Sequence, residues 1–313
     1  MSFEIKKFHD GNYDVVSLVN SQTNESVVIV PSLGGTVNQI TLLDESGLRE
    51  LLKVDEKHYT DNHSFRGRLL FPFNDRIPDA KYFYQGDVHH LPVNCPSDGS
   101  SIHGLIYNQE MKIESEACGV ESAHLVLSFE IDDEAFAGYP FKVAYEAKYL
   151  LDANGFMISF KMKNLGQGVA PIALGWHPYF KIGEGLAGHS MTMKSDVYVA
   201  VDSDLIPTGE IPSVEGTELD FRNGASVETV ELDHAISVPS DSKTVLEFED
   251  RKLILHQDRE FFKFVQVYIP DNRESIAIEP ISGATDSFNR DGLGRKDLAP
   301  GEWVETWCAV SVK

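Results

Sequence analysis

Two residues stand where proton chemistry would need them. Glu279 is the one carboxylate in the apolar run IAIEPI, residues 276–281, and it stands immediately before a proline. Burial among apolar neighbours disfavours the ionised form and raises a carboxyl pKa, which suits a group that takes up and returns protons near neutrality. His177 stands in LGWHPYF, residues 174–180, and again precedes a proline, which biases it away from helical geometry and towards an extended backbone. Each has a bland alternative: a buried glutamate paired with an arginine, and a core histidine satisfied by one hydrogen bond.

Two further residues are weaker on their own. Arg76, in LLFPFNDRIPD, could present its planar fork to neighbouring hydroxyls of a polyol, but an ion pair with Asp75 or Asp79 explains it as well. His103, in SSIHGL, precedes a glycine that permits a sharp turn, and a surface turn histidine is the ordinary alternative. Together the four form an acid and base set with no nucleophile, metal site or cofactor loop. Such a set fits proton transfer on a neutral substrate without a cofactor. The chain has no Gly-rich phosphate loop ending in Lys-Ser/Thr and no dinucleotide-type glycine triplet. The adjacent His89 and His90 would point to opposite faces of a strand and so chelate poorly, which leaves them as surface imidazoles.

The elements that must hold these residues read as strands. Segments rich in β-branched and aromatic residues cover Ser26 to Val30, His124 to Ile131, Lys142 to Leu151, Phe156 to Lys163, Lys263 to Ile269 and Trp303 to Val312. Turn signals such as Asp98-Gly99, Asn154-Gly155 and Asn223-Gly224 separate them. In Phe156 to Lys163 the residues Phe156, Ile158 and Phe160 share one face and Met157, Ser159 and Lys161 the other. No long amphipathic helix competes. The expectation is an all-β protein of two packed antiparallel sheets, and the absence of repeats, linkers or composition breaks predicts one domain over residues 1–313.

Bulk properties narrow the partners. The chain has 313 residues, 42% of them hydrophobic, enough for a large core. Lys and Arg total 27 against 49 Asp and Glu, and the net charge of -22 argues against nucleic acid and anionic membrane surfaces. The start MSFEIKKFHD has no apolar run behind its charges and no stretch has the length of a membrane helix, so a protein without signal sequence or span is expected. Cys95, Cys118 and Cys308 are odd in number and widely spaced, which suits free thiols in a reducing compartment and makes the cytoplasm the default expectation. Oligomeric state leaves no mark in the sequence.

Read in order, the segments IVPSLGGTVNQI, PFNDRIPDAKYFYQG, SIHGL, GWHPYF, VDSDLIPTGE, LDHAI, AIEPISGATDSFN and LAPGEWVETW resemble the aldose 1-epimerase, or galactose mutarotase-like, family nearly end to end. The resemblance implies a β-supersandwich with a sugar-binding cleft across one sheet face. It implies interconversion of the anomers of a free aldohexose such as glucose or galactose by ring opening. His177 matches the family's acid and Glu279 its base; His103, Arg76 and Asp233 match its substrate-binding residues. Asp202 and Asp204 are the competing acidic positions, read as loop structure beside a turn at Pro207, Thr208 and Gly209. A hexose-6-phosphate epimerase and a non-catalytic sugar-binding protein are the other readings. An acid and a base acting on a ring would be expected on opposite sides of a cleft, a sugar-ring width apart. Two departures concern the pocket: PFNDRI stands where the family has PFPNRI, so Asp75 replaces an asparagine beside Arg76, and HGLIYNQEMKI lacks the tryptophan usual after the first histidine.

Overall fold

The computed structural model describes residues 2–54, 64–132, 134, 136–182 and 185–313. Among them the helical elements are two single 3-10 turns, Pro31–Leu33 and Pro78–Ala80. No helix of the described residues is long and apolar enough to cross a membrane. Everything else of regular structure is strand.

Three sheets carry the architecture. The N-terminal one is a five-stranded meander, Phe3–Asp10, Tyr13–Asn20, Ser26–Val30, Thr36–Asp44 and Gly47–Lys53, with neighbours in chain order. A nine-stranded antiparallel sheet has the long strands Ser122–Ile131, Val143–Asp152, Gly155–Asn164 and Trp303–Val312 side by side. The expected strands Ser26 to Val30 and Trp303 to Val312 have these same bounds, and the others lie within two residues of theirs. The Asn154-Gly155 signal closes the tight hairpin in which Asp152 pairs with Gly155. In Gly155–Asn164 the residues Phe156, Ile158, Phe160 and Met162 are buried, as the alternation requires of one face packed on a core.

The third sheet, six-stranded, positions the site. Its order is Asp233–Ser237, Phe264–Tyr268, Ser275–Ile281, Gly175–Trp176 and Leu69–Leu70, with Tyr179–Lys181 also paired to Ser275–Ile281. Aromatic contacts lock the nine-stranded sheet to this one: Tyr145 stacks on Phe71 at 4.9 Å and Phe156 meets Trp176 edge to face at 6.2 Å. Trp176, Tyr145, Phe71 and Phe156 are all essentially fully buried, so this interlayer space is the main core. The opposite face of the six-stranded sheet holds a second, small apolar cluster of Val199, Ala235, Phe264, Ile281, Ala284 and Leu293. Beside that cluster the same face opens into a cleft.

Candidate active site

Antiparallel register brings the candidate acid and base together. Gly175 stands opposite Ile281 and Tyr179 opposite Ala277, so His177, between those two pairs, falls across from Glu279. The backbone of His177 bonds away from Glu279: its N–H donates to the Arg68 carbonyl at 3.0 Å and its carbonyl accepts from Gly67 N–H at 2.8 Å. Facing residues whose backbones do not bond to each other have their side chains closest. Pro178 follows in the gap between two very short strands, where a residue without an N–H leaves no ladder bond unmade.

The result is His177 Nδ1 at 3.4 Å from Glu279 Oε1, with the two residues 5% and 3% exposed. The pair sits side by side on one wall rather than on opposite sides of a cleft. Side by side, the two groups can reach two oxygens carried on the same carbon of a ligand. On the other flank Gln266 faces Glu279 in register, and Asp233 faces Tyr268. A period of two then puts Asp233, Gln266, Tyr268, Glu279, His177 and Tyr179 on the same sheet face.

These residues line a cleft of about 300 Å³, at the small end for a ligand pocket, whose rim comes from loops bearing Asp75, Arg76, His103, Leu205 and Thr285. All five sequence-derived candidates, Glu279, His177, Arg76, His103 and Asp233, therefore meet in one cavity. Asp202 and Asp204 do not: Asp202 Oδ1 accepts the N–H groups of Asp204 and Ile206 at 2.9 and 3.0 Å, an exposed turn that carries Leu205 to the rim. The turn thus forms at Asp202 to Asp204 and not at Pro207 to Gly209, because the aspartate carboxylate substitutes for a backbone acceptor there. Of the aromatics in the motifs, Trp176 and Phe288 belong to the core and Tyr179 reaches the cleft.

Several of the polar groups are positioned by identifiable partners. His103 adopts a left-handed backbone, φ 62°, and Gly104 after it has φ 82°. A Cβ on Gly104 would come within 2.3 Å of the Phe71 carbonyl oxygen, so the His103 loop can cross the Phe71 backbone this closely because that residue is glycine. His103 Nδ1 is 2.9 Å from the Asn74 carbonyl oxygen, which can only accept, so Nδ1 carries the hydrogen and Nε2 is left as the acceptor of the neutral ring. Asn74 is fully buried and clamps the loop after Glu279 by two bonds, Nδ2–H to the Gly283 carbonyl at 2.6 Å and Oδ1 from Gly283 N–H at 3.1 Å. Arg76 bonds Ser100 Oγ at 3.2 Å and pairs with Asp98. The expected partners do not meet its guanidinium: Asp75 accepts the main-chain N–H of Arg76 at 2.6 Å and the Thr285 hydroxyl at 3.0 Å, and Asp79 pairs with Lys81 at 3.3 Å. Gln266 Nε2–H donates to Asp233 Oδ1 at 2.7 Å.

Electrostatics follow from burial. Glu279 is held well above the usual carboxylate range by desolvation, with the charges of Asp75 and Asp233 adding to it. His177 is held well below the usual imidazole range by desolvation, with His103 and Arg66 adding. Burial therefore holds both groups towards their neutral forms, a protonated Glu279 and an uncharged His177. Asp233 is pushed up to about 6, first by burial and then by Asp75, with the Gln266 bond and Arg76 opposing.

Sequence reasoning missed Gln266, Tyr268 and Arg66 and met Asp75 only as a departure. Gln266 and Tyr268 could have been found, since they break the apolar strand FVQVY at alternate positions. Arg66 places its guanidinium 4.1 Å over the Tyr179 ring, which in turn lies parallel to the His177 ring at 4.8 Å. Nothing local in the sequence predicts that stack. Where the tryptophan after the first histidine is missing, Tyr107 and His103 both meet the Phe65 ring edge on, at 4.9 and 4.6 Å. His89 and His90 lie outside the cleft; His90 is exposed, but His89 is half-buried against the Tyr82 ring at 4.8 Å.

Comparison with known proteins bears on the fold and the family. The fold is shared with a galactose mutarotase-like protein from Clostridium acetobutylicum, with a TM-score of 0.85 over 100% of this chain and 99% of that one at 19% identity. The sequence is 28% identical over 229 residues to the uncharacterized protein YihR of Escherichia coli, 71% of each chain. It is 25% identical over 222 residues to the galactose mutarotase of Mus musculus, 69% of this chain and 63% of that protein's length. A family model described as aldose 1-epimerase matches residues 14–311, and the chain belongs to that family.

Proposed function

We propose that residues 1–313 act as one catalytic domain that interconverts the α and β anomers of a free aldohexose. Glu279 takes the proton of the anomeric hydroxyl while His177 delivers one to the ring oxygen. The ring opens, the carbonyl carbon rotates, and closure returns both protons with the roles reversed. The observation that carries this reading is the 3.4 Å approach of a buried carboxylate and a buried imidazole on the wall of a sugar-sized cleft. Reaction needs the minor form, Glu279 ionised and His177 protonated, which one proton moved from the carboxyl to the facing imidazole supplies. Arg76, His103 and Asp233 hold hydroxyls so that both transfers act on one bound geometry.

A phosphorylated hexose is less well matched. Lys181, which follows HPYF, turns away to pair with Glu50 on the surface, and Arg76 is neutralised by Asp98. The test is anomer exchange by NMR or polarimetry on freshly dissolved α-D-glucose and α-D-galactose. The parent protein accelerates exchange over buffer, and Glu279→Gln and His177→Asn each lose roughly 10²- to 10⁴-fold. Saturable sugar binding without acceleration would identify a binding protein instead, and equal rates in parent and variants would remove the assignment of these two residues.

A further inference from the structure

At the end of the cleft away from His177 the lining turns apolar. Residues 197–199 run along the outer edge of Asp233–Ser237: Val199 N–H donates to the Ala235 carbonyl and Ser237 N–H to the Val197 carbonyl, both at 2.9 Å. Val199 therefore stands opposite Ala235, Ala235 opposite Gln266, and Gln266 opposite Glu279. One row of facing residues runs from Val199 through Ala235, Gln266 and Glu279 to His177. Beyond Val199 the chain forms an irregular hairpin that brings Val201 and Leu205 to the same cleft. Val199 and Ala235 have a packing role in the small apolar cluster. Val201 and Leu205 are half-buried and belong to neither apolar cluster of the described residues, so core packing does not account for them. Leu205 is held in a left-handed backbone, φ 61°, which is rare for a bulky side chain, at the turn tied by the Asp202 carboxylate.

We propose that this end of the cleft selects aldohexoses carrying an acetamido group on C2, with Val201 and Leu205 receiving its methyl and Asp233 accepting its N–H. The inference rests on the ring-opening reading, which orients the sugar. With the ring oxygen at His177 and the anomeric hydroxyl at Glu279, C5 and C6 follow the ring oxygen on the His177 side. C2 falls on the other side, so its substituent is the one directed at Gln266 and Asp233. Neighbouring strands are about 5 Å apart. A C2 hydroxyl ends over Gln266 and Asp233, whereas an acetamido group carries its methyl one strand further, to the apolar end. There the methyl leaves water for aliphatic side chains, and the N–H meets a carboxyl whose Oδ1 is steadied by the Gln266 amide.

Anomer exchange of N-acetyl-D-glucosamine, D-glucose and 2-deoxy-D-glucose is measured with the parent, Leu205→Asn and Val201→Thr, and calorimetric titration of the same sugars runs in parallel. Asparagine tolerates the left-handed backbone and threonine has the shape of valine, so each variant removes apolar contact and keeps the turn. The parent turns over the acetamido sugar with a kcat/KM roughly tenfold above that for glucose, the lower end of what one apolar group in a pocket is worth. In either variant that ratio falls by roughly fourfold, the worth of one buried methyl. A parent that prefers glucose, a 2-deoxyglucose preference as large as that for the acetamido sugar, or an unchanged ratio in both folded variants overturns the proposal. If no aldose is turned over, the ring-opening reading fails by itself, and the affinity ratio from calorimetry then decides the acetamido preference in the same way.

Discussion

Asp233 sits where its ionised carboxyl costs the fold stability. Its carboxyl is pushed up to about 6 from an ordinary 3.8 by burial and by Asp75. The folded protein therefore holds this proton more tightly than the unfolded chain does. Stability from this group is present below about pH 4 and is lost as pH rises through about 6, at a cost on the order of 2–3 kcal/mol. Asp233→Asn keeps an oxygen acceptor for Gln266 and removes the charge. Urea unfolding at pH 8 is expected to show the variant more stable than the parent by about 2 kcal/mol, with the gain vanishing near pH 4. A variant destabilised equally at both pH values would instead show that Asp233 serves a structural role. Under the proposed function the same carboxylate meets a sugar hydroxyl, so the KM of the variant for the sugar is expected to rise as its stability does.

At the scale of elements, the site depends on how two loops are tied to one strand. Ser275–Ile281 is buried along its whole length, and the loop after it is fastened to the PFND segment by the Asn74 amide. Asn74→Ala removes both bonds and leaves the buried N–H and carbonyl of Gly283 without partners, an expected loss of about 2–4 kcal/mol by urea unfolding. His103 is bonded to the main-chain carbonyl of Asn74, which the alanine keeps; under the proposed function KM for the sugar therefore rises only through slackening of that backbone once its tie to Gly283 is gone. Loss of stability with unchanged KM would separate the clamp from the site. These connections were not legible beforehand. The long strands announce themselves through alternation, but Leu69–Leu70, Gly175–Trp176 and Tyr179–Lys181 are two or three residues each, too short for any period to appear. LGWHPYF was readable as extended because of its proline, and its membership of the sheet was not.

For the whole molecule, a net charge of -22 sets a background of self-repulsion that its surface ion pairs offset locally. Salt shortens the range of that repulsion to about 10 Å at 0.1 M. The melting temperature is therefore expected to rise by several degrees between roughly 10 mM and 300 mM sodium chloride, followed by calorimetry. A fall over that range would mean that exposed pairs such as Lys142 with Glu130 and Arg49 with Asp250 outweigh the repulsion. The fold itself is insulated from this field, because its main core is a continuous apolar layer between the sheets.

The sequence by itself determined the strand-rich class, the faces of the long strands, and the residue types of an acid and base pair, because these are local: a period of two and an odd carboxylate in an apolar run are visible within a few residues. The ordered motifs added the family. Only the tertiary structure decided that Glu279 and His177 stand 3.4 Å apart on one wall, that Asp233 rather than Asp202 or Asp204 faces the cleft, and that Arg76 is answered by Asp98. Those facts depend on antiparallel register between segments about a hundred residues apart in the chain and on loops that meet only after the sheets have packed, and no local pattern encodes either.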